Sequence, residues 1–95
     1  MHKTYGTGRR KTSVARVYLH EGTGLITINS RDVDNFVQSK SLKSYLMAPL
    51  QKSELEGKVD LKISVCGGGP SGQVGAMVHG VTRALIKYQI DLLQF

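Results

Sequence analysis

The chain has 95 residues, of which 40% are hydrophobic and 21% charged, and its formal net charge at neutral pH is +6. This length accommodates one small domain with one hydrophobic core and excludes a second core. The positive charge indicates a polyanionic partner, either nucleic acid or an acidic membrane surface, with a basic surface kept only for solubility as the alternative.

Cysteine and histidine usage limits the chemistry that the chain can perform. Cys66 is the single cysteine, so no intrachain disulfide or cysteine metal pair can form, which favours a reducing compartment. His2, His20 and His79 lack the spacing of a metal site. The polar residues 1–11 do not resemble a signal peptide, and no apolar run reaches the roughly twenty residues that cross a bilayer. We therefore expect no metal, no cofactor and no membrane partner.

Positive charge is concentrated in the first sixteen residues, which we call the basic arm. The arm holds Lys3, Arg9, Arg10, Lys11 and Arg16 and no acidic residue, whereas all seven acidic residues follow it. One-sided charge of this kind is a stronger nucleic-acid signal than the same charge spread evenly. Because residues 5–11 carry little apolar surface, we expect them to be loosely ordered without RNA.

Alternation of apolar and polar residues predicts the strands. Residues 12–19 and 25–29 are separated by a turn with two glycines, so they are predicted to pair as a hairpin. A short extended piece near residues 30–33 is a third predicted strand. Residues 59–66 give the clearest strand, with apolar odd-numbered residues facing the core and polar even-numbered residues facing away.

Two short helices are predicted between the third and fourth strands. Asp34 or Asn35 is the expected N-cap of the first, and Ser41 is the expected N-cap of the second. Pro49 should end the second helix near residue 47 or 48, because proline disfavours helical geometry in the residue before it.

A long helix is predicted over residues 71–88, with an apolar stripe for the core. Its opposite face carries small residues in the first turns and basic residues near the end, namely Gly72, Ala76, His79, Gly80, Arg83 and Lys87. Each internal glycine costs a helix about 1 kcal/mol relative to alanine. We therefore expect a phosphate backbone to approach this face closely, where small residues leave room for it.

The glycine-rich residues 67–72 that precede this helix admit three interpretations. A nucleotide-binding loop of an enzyme fits poorly, because Gln73 stands where a Walker loop has lysine and no dinucleotide fingerprint is apparent. Among enzyme loops only the type found in small-molecule kinases remains possible, and the chain lacks space for a substrate domain. In the second interpretation, the loop and the flank of the helix contact RNA phosphates. In the third, the segment is a solvated glycine-rich turn. Neither Cys66 nor Ser71 has the context of a nucleophile, so no enzyme is expected.

Two long motifs carry a family resemblance. Residues 5–17 (YGTGRRKTSVARV) and residues 67–76 (GGGPSGQVGA), followed by His79-Gly80 and Arg83-Ala84-Leu85, resemble the signatures of the small-subunit ribosomal protein S-nine family. The resemblance spans nearly the whole chain. It implies an α+β fold in one domain over residues 1–95, with a mostly antiparallel four-stranded sheet, helices on one face and a left-handed crossover, as in the second domain of ribosomal protein S-five.

The resemblance also implies a structural role in the head of the small ribosomal subunit, bound to ribosomal RNA beside other head proteins. The ribosome is cytoplasmic in this interpretation, with an organellar ribosome as the other setting. The predicted RNA-binding residues are Lys3, Arg9, Arg10, Lys11, Arg16, Gly68, Gly69, Ser71, Gly72, Gln73, Gly75, Ala76, His79, Gly80, Arg83 and Lys87.

Two departures from the family pattern qualify these expectations. Val78 stands where the family commonly has arginine, and the family usually continues into a basic tail that reaches transfer RNA, whereas this chain stops at Phe95. A transfer RNA contact is expected only if such a tail follows. The alternatives are a free-standing RNA-binding or RNA-chaperone module of the same fold and a small phosphotransferase.

Overall fold

The computed structural model describes residues 3–92, and the side chains of residues 4–90 within them. These residues form five strands and three helices, in the order β1 (Lys3–Arg10), β2 (Ser13–Glu21), β3 (Ile26–Ile28), β4 (Arg31–Asp32), α1 (Val33–Phe36), α2 (Lys40–Lys52), β5 (Val59–Cys66) and α3 (Pro70–Leu92). The α+β class predicted from the sequence is therefore confirmed.

The described strands make one mixed sheet in the order β1-β2-β5-β3-β4. Three neighbouring pairs are antiparallel, and only β3 and β5 run parallel. The expected four strands are corrected to five, because residues 3–10 of the arm form β1, which pairs with β2 from Lys3, opposite His20, to Arg10, opposite Ser13. The left-handed crossover stays a prediction.

The predicted hairpin between the second and third strands is wrong, because β5 lies between β2 and β3. β5 pairs with β2 from Val59, opposite Glu21, to Cys66, opposite Val14. The three residues of β3 offer a far shorter ladder, and they lie parallel to β5 instead. β2 therefore pairs with β5, because this longer ladder satisfies more backbone hydrogen-bonding groups and buries a longer apolar face.

The alternating strand faces and the apolar stripe of α3 are confirmed. The apolar residues of the predicted faces that are buried in β2, β5 and α3 are Ala15, Val17, Leu19, Val59, Leu61, Ile63, Val65, Val74, Met77, Val81, Ala84, Leu85 and Tyr88, with Val78 half-buried. They belong to a single core cluster, to which α2 adds Leu46 and Leu50. α3 lies across β1 and β2, and α2 packs beside α3.

Both short helices begin earlier than predicted. The N-cap of α1 is Asp32, in extended conformation, and Asp34 and Asn35 lie inside the helix. The helix begins there because Val33 is buried. The carboxylate of Asp34 instead forms an ion pair with Lys43.

α2 begins after Ser39, not Ser41, and the hydroxyl of Ser39 accepts a hydrogen bond from the Leu42 N–H at 3.4 Å. The helix also continues through Pro49 to its end at Lys52. The buried side chains on either side of the proline, Leu46 and Leu50, hold this segment against the core. Tertiary packing therefore outweighs the hydrogen bond that proline removes.

Candidate nucleic-acid interface

The turn between β1 and β2 packs against the glycine-rich segment before α3. We call residues 9–13 the hairpin tip and residues 67–69 the glycine loop. The Ser13 hydroxyl donates a hydrogen bond to the Gly67 carbonyl oxygen at 2.9 Å. Gly67 and Gly68 have φ angles of 81° and 68°, and a Cβ on Gly67 would collide with the Thr12 carbonyl oxygen. The loop therefore follows the tip closely, and glycine is needed both for its conformation and for the contact.

The amino-terminal end of α3 projects from this loop. Intrahelical bonding begins with the Gln73 N–H, which donates to the Gly69 carbonyl at 2.9 Å. Pro70, the first helical residue, has no N–H, so the N–H groups of Ser71 and Gly72 are the first-turn donors without a partner inside the helix. The positive end of the helix dipole lies here and favours an anion.

Three cationic side chains at the hairpin tip complete this corner of the molecule. Arg9, Arg10 and Lys11 are all exposed, and none of them pairs with a carboxylate in the described part of the chain. The Arg10 side chain lies directly on Gly75, because a Cβ there would collide with its Cδ and come within 3.1 Å of its Nε. The tip, the glycine loop and the start of α3 therefore form one surface, which we call the tip cluster.

The predicted small-residue edge of α3 does not face outward, and this prediction is wrong for Ala76 and Gly80. Both are buried beneath β1. A Cβ on Gly6 would lie 2.6 Å from the Gly80 carbonyl oxygen, and one on Gly8 would collide with the Ala76 carbonyl oxygen. The backbone that approaches the helix closely is thus that of β1 in the chain's own arm, where a loosely ordered segment was predicted for residues 5–11.

The predicted basic row on α3 also has a partner within the protein. His79, Arg83 and Lys87 lie along the outer edge of β1. The bonds join the Arg9 N–H to His79 Nδ1, Arg83 Nη1 to the Thr7 carbonyl oxygen and Lys87 Nζ to the Tyr5 carbonyl oxygen, each at 3.3 Å. Four helical residues rise about 6.0 Å and two strand residues about 6.6 Å, so alternate strand groups meet every fourth helical residue.

The sixteen predicted site residues therefore separate into groups. Those that the structure brings together at the tip cluster are Arg10, Lys11, Gly68, Gly69, Ser71, Gly72, Gln73 and Gly75, and Arg9 lies at its border, on the strand face turned away from α3. Arg83 and Lys87 lie further along α3 and retain donors beyond those that bind β1. Arg16 lies on the opposite face of the sheet. The side chain of Lys3 lies outside the described residues.

Ser13 is a site residue that the sequence-based prediction missed. It is fully buried, and it joins the tip to the glycine loop across 54 positions of sequence. A Cβ on Gly72 would lie 3.1 Å from its Oγ. Its place in the first motif was the available signal, but serine beside a basic turn is also typical of an exposed loop.

The opposite end of the sheet carries an acidic group in a distinct setting. The Asp60 carboxylate accepts N–H bonds from Leu25 at 2.8 Å and from Thr23 and Gly24 at 3.0 Å. These bonds, the Leu25 bond first, and the nearby charge of His20 lower the pKa of Asp60 below its usual value near 3.8, and they outweigh the raising effect of partial burial. Asp60 thus fixes the turn before β3, far from the tip cluster.

Neither a metal-ligand cluster nor a bilayer-spanning helix is found among the residues that the structure describes. No three histidine, cysteine or acidic side chains in it come together in a way that could hold a metal ion. None of the helices within residues 3–92 has the length and hydrophobicity of a bilayer span. Cys66 is a free, exposed thiol at the end of β5.

An α+β domain whose hairpin tip carries three cations, none with a carboxylate partner among the described residues, beside a helix amino terminus has the features of a polyanion-binding protein. A family model described as "Ribosomal protein S9/S16" matches residues 8–94, and the chain belongs to this family. The chain is 54% identical over 82 residues to the small ribosomal subunit protein uS9 of Borreliella burgdorferi (strain ZS7). That match covers 86% of the chain and 60% of the relative, so the chain spans about three fifths of the relative's length. The family is one of structural ribosomal components, not enzymes, which argues against the phosphotransferase alternative.

Proposed function

We propose that the chain serves as a structural protein of the small ribosomal subunit and that its tip cluster binds ribosomal RNA through phosphate contacts. The observation that carries the proposal is the packing of the hairpin tip, which holds Arg9, Arg10 and Lys11, against the glycine loop, with the Arg10 side chain lying on Gly75 of α3. Family membership supplies the ribosomal setting.

The chemistry of the tip cluster suits phosphate oxygens better than base edges. Arginine presents a planar fork of donors that matches two phosphate oxygens, and the N–H groups of Ser71 and Gly72 add uncharged donors beside it. Contacts of this kind fix the position of a protein on folded RNA without reading its sequence. We therefore expect strong salt dependence and little base specificity.

The finer setting follows from the family resemblance and remains part of the proposal. We place the chain in the head of the small subunit beside other head proteins, in a cytoplasmic ribosome, with an organellar ribosome as the other possibility. A contact with transfer RNA belongs to the proposal only where a basic tail follows Phe95. Co-sedimentation with small subunits at moderate salt is expected, whereas a free-standing RNA-binding module would bind RNA and stay out of the subunit.

The decisive experiment measures the affinity for purified small-subunit ribosomal RNA at several salt concentrations. The double variant Arg9→Gln/Arg10→Gln should reduce the slope of log affinity against log salt by roughly 1.4 to 1.8, because each lost phosphate contact removes about 0.7 to 0.9. Glutamine keeps part of the aliphatic stem that covers Gly75.

A matched control removes the same charge elsewhere. Lys52 at the end of α2 and Lys58, whose carbonyl oxygen accepts a bond from the Gly22 N–H at the opposite end of the sheet, are exposed and lie away from the tip cluster. The variant Lys52→Gln/Lys58→Gln should leave the slope within about half a unit of the parent's, since neither lysine is expected to contact a phosphate. Equal slopes for the two double variants would mean that net charge, not the tip cluster, determines binding.

A further inference from the structure

The face of the sheet turned away from the helices is open. Residues on it alternate with the buried ones, and within residues 4–90 no helix or loop covers it: Tyr5, Arg9, Arg16, Tyr18, Lys62, Ser64 and Cys66 are all exposed. An exposed sheet face in so small a domain is a large fraction of its surface, and the composition of this face is informative.

Two tyrosines sit side by side on this face. Tyr5 of β1 and Tyr18 of β2 are directly opposite in the strand register. Their ring centroids are 4.9 Å apart with an angle of 44° between the planes, and the two residues remain 37% and 38% exposed. Each ring therefore holds the other in position, and both still present ring surface to solvent, so that a base can stack on them.

Two cations flank the tyrosine pair. Lys62 is the cross-strand neighbour of Tyr18 on β5, and Arg16 lies two residues before Tyr18 on the same face, about 6.6 Å along the strand. Both are exposed, and neither has an ion-pair or hydrogen-bond partner among the described residues. The nearest carboxylate on the face is that of Asp60, whose Oδ1 accepts hydrogen bonds from three backbone N–H groups.

We infer that this patch of Tyr5, Tyr18, Arg16 and Lys62, which we call the tyrosine face, binds an unpaired nucleotide of RNA. The base stacks on the tyrosine pair, and the phosphates on either side of it pair with the two cations. The inference rests on the proposed function and extends it from phosphate contacts at the tip cluster to a base contact on a second surface.

Charge and composition favour RNA over a protein as the occupant. Lysine and serine are depleted at protein interfaces, whereas Lys62 adjoins the aromatic pair and Ser64 follows it on the same strand. Ser64, the cross-strand neighbour of Arg16 on β5, adds no apolar area. The spacing of an aromatic surface between two unpaired cations matches a single strand, whose bases are free to stack while its phosphates remain accessible.

The test uses the full 95-residue chain and a single-stranded RNA of twelve nucleotides with 2-aminopurine at a central position. The fluorescence of this base falls when it stacks, so the parent should bind the probe and quench it. Tyr18→Leu should weaken binding roughly tenfold and abolish the quenching, within the range found for loss of one base–aromatic stack. Tyr18→Phe keeps the ring and should preserve both signals.

Two controls separate stacking from general effects. Tyr45→Leu removes a tyrosine of α2 that is 47% exposed and lies away from the sheet, and it should change neither signal. Arg16→Gln should reduce the salt slope by about 0.7 and leave the quenching of bound probe intact. Thermal melts of every variant establish that it is folded, and Tyr18→Phe together with Arg16→Gln keeps the test decisive if Tyr18→Leu does not fold.

The outcomes distinguish this inference from the proposed function. If the parent binds RNA with the expected salt slope but Tyr18→Leu binds and quenches like the parent, the tyrosine face is wrong and the tip cluster stands. If Tyr18→Leu lost equal affinity for this probe and for a twelve-base-pair duplex, the inference would also be overturned, because paired bases cannot stack on the face. If Tyr18→Leu bound RNA normally but was incorporated poorly into small subunits, the face would instead contact a protein neighbour. A parent that binds no RNA at all would remove the proposed function itself.

Discussion

Gly8→Ala tests whether the arm is an integral part of the fold. The added Cβ would collide with the Ala76 carbonyl oxygen and the Gly80 amide nitrogen. Both are backbone atoms of α3, so no side-chain rotation relieves the clash. Overpacking typically costs 1–3 kcal/mol, and we expect about 3 kcal/mol here. The reduced freedom of the unfolded chain returns about 0.4–1 kcal/mol, which leaves a net loss of about 2 kcal/mol.

Urea denaturation followed by circular dichroism measures this loss directly, and a thermal melt should show a fall of about 8–16 °C. Gly69→Ala is the matched control, because no atom lies within 4 Å of its added Cβ. Alanine is a weaker N-cap than glycine at the start of α3, but it also reduces the freedom of the unfolded chain. These two effects oppose each other, so the free energy of unfolding should change by no more than about 0.5 kcal/mol. If Gly8→Ala is no more damaging than Gly69→Ala, β1 does not pack on α3 in solution and the reasoning fails.

The remaining predictions concern the core, the link between tip and loop, and pH. Ile63→Ala should cost about 2–5 kcal/mol in urea denaturation, because the side chain is 1% exposed, whereas equal damage by Lys62→Ala would refute the assignment of the sheet faces. Ser13→Ala should cost about 0.5–1.5 kcal/mol, because it removes the part-buried hydrogen bond to the Gly67 carbonyl oxygen; unchanged stability would contradict that role. The folded-state pKa of Asp60 is lowered, so its stabilisation is complete above the usual pKa near 3.8 and disappears as the pH falls through the lower folded value. Asp60→Asn should therefore be less stable at pH 7 and lose less stability than the parent between about pH 5 and pH 2; parallel stability curves for the two proteins would argue against the carboxylate's role.

The parts of the fold that the sequence predicts correctly are those that a local pattern determines. β5 alternates without a break, and each apolar side chain, such as Ile63, is buried while its neighbour Lys62 is exposed. The apolar stripe of α3 is similarly determined by helical periodicity. In both cases burial of one face and the repeat of the element agree, so a single sequence is sufficient.

The features that escaped prediction depend on contacts between distant residues. The inward positions of β1 include Gly6 and Gly8, which contribute no hydrophobic signal because their role is to let two backbones meet. The tip reaches the glycine loop only because β2 pairs with β5, which sets Val14 opposite Cys66. Pro49 breaks the local rule because its neighbours pack into the core. Glycine was correctly associated with close backbone approach, but composition does not reveal which backbone approaches.

The bonds between α3 and the outer edge of β1 have a consequence for the protein before it meets any partner. An edge strand with unpaired carbonyl and amide groups is a template on which another chain can add a strand and begin aggregation. Here the side chains of Arg83 and Lys87 donate hydrogen bonds to two carbonyl oxygens of that edge and place positive charge along it. The opposite edge of the described sheet is β4, only two residues long. A newly made copy thus presents no long free edge in its described part, and the same cations that hold the arm in place discourage sheet-to-sheet association between copies.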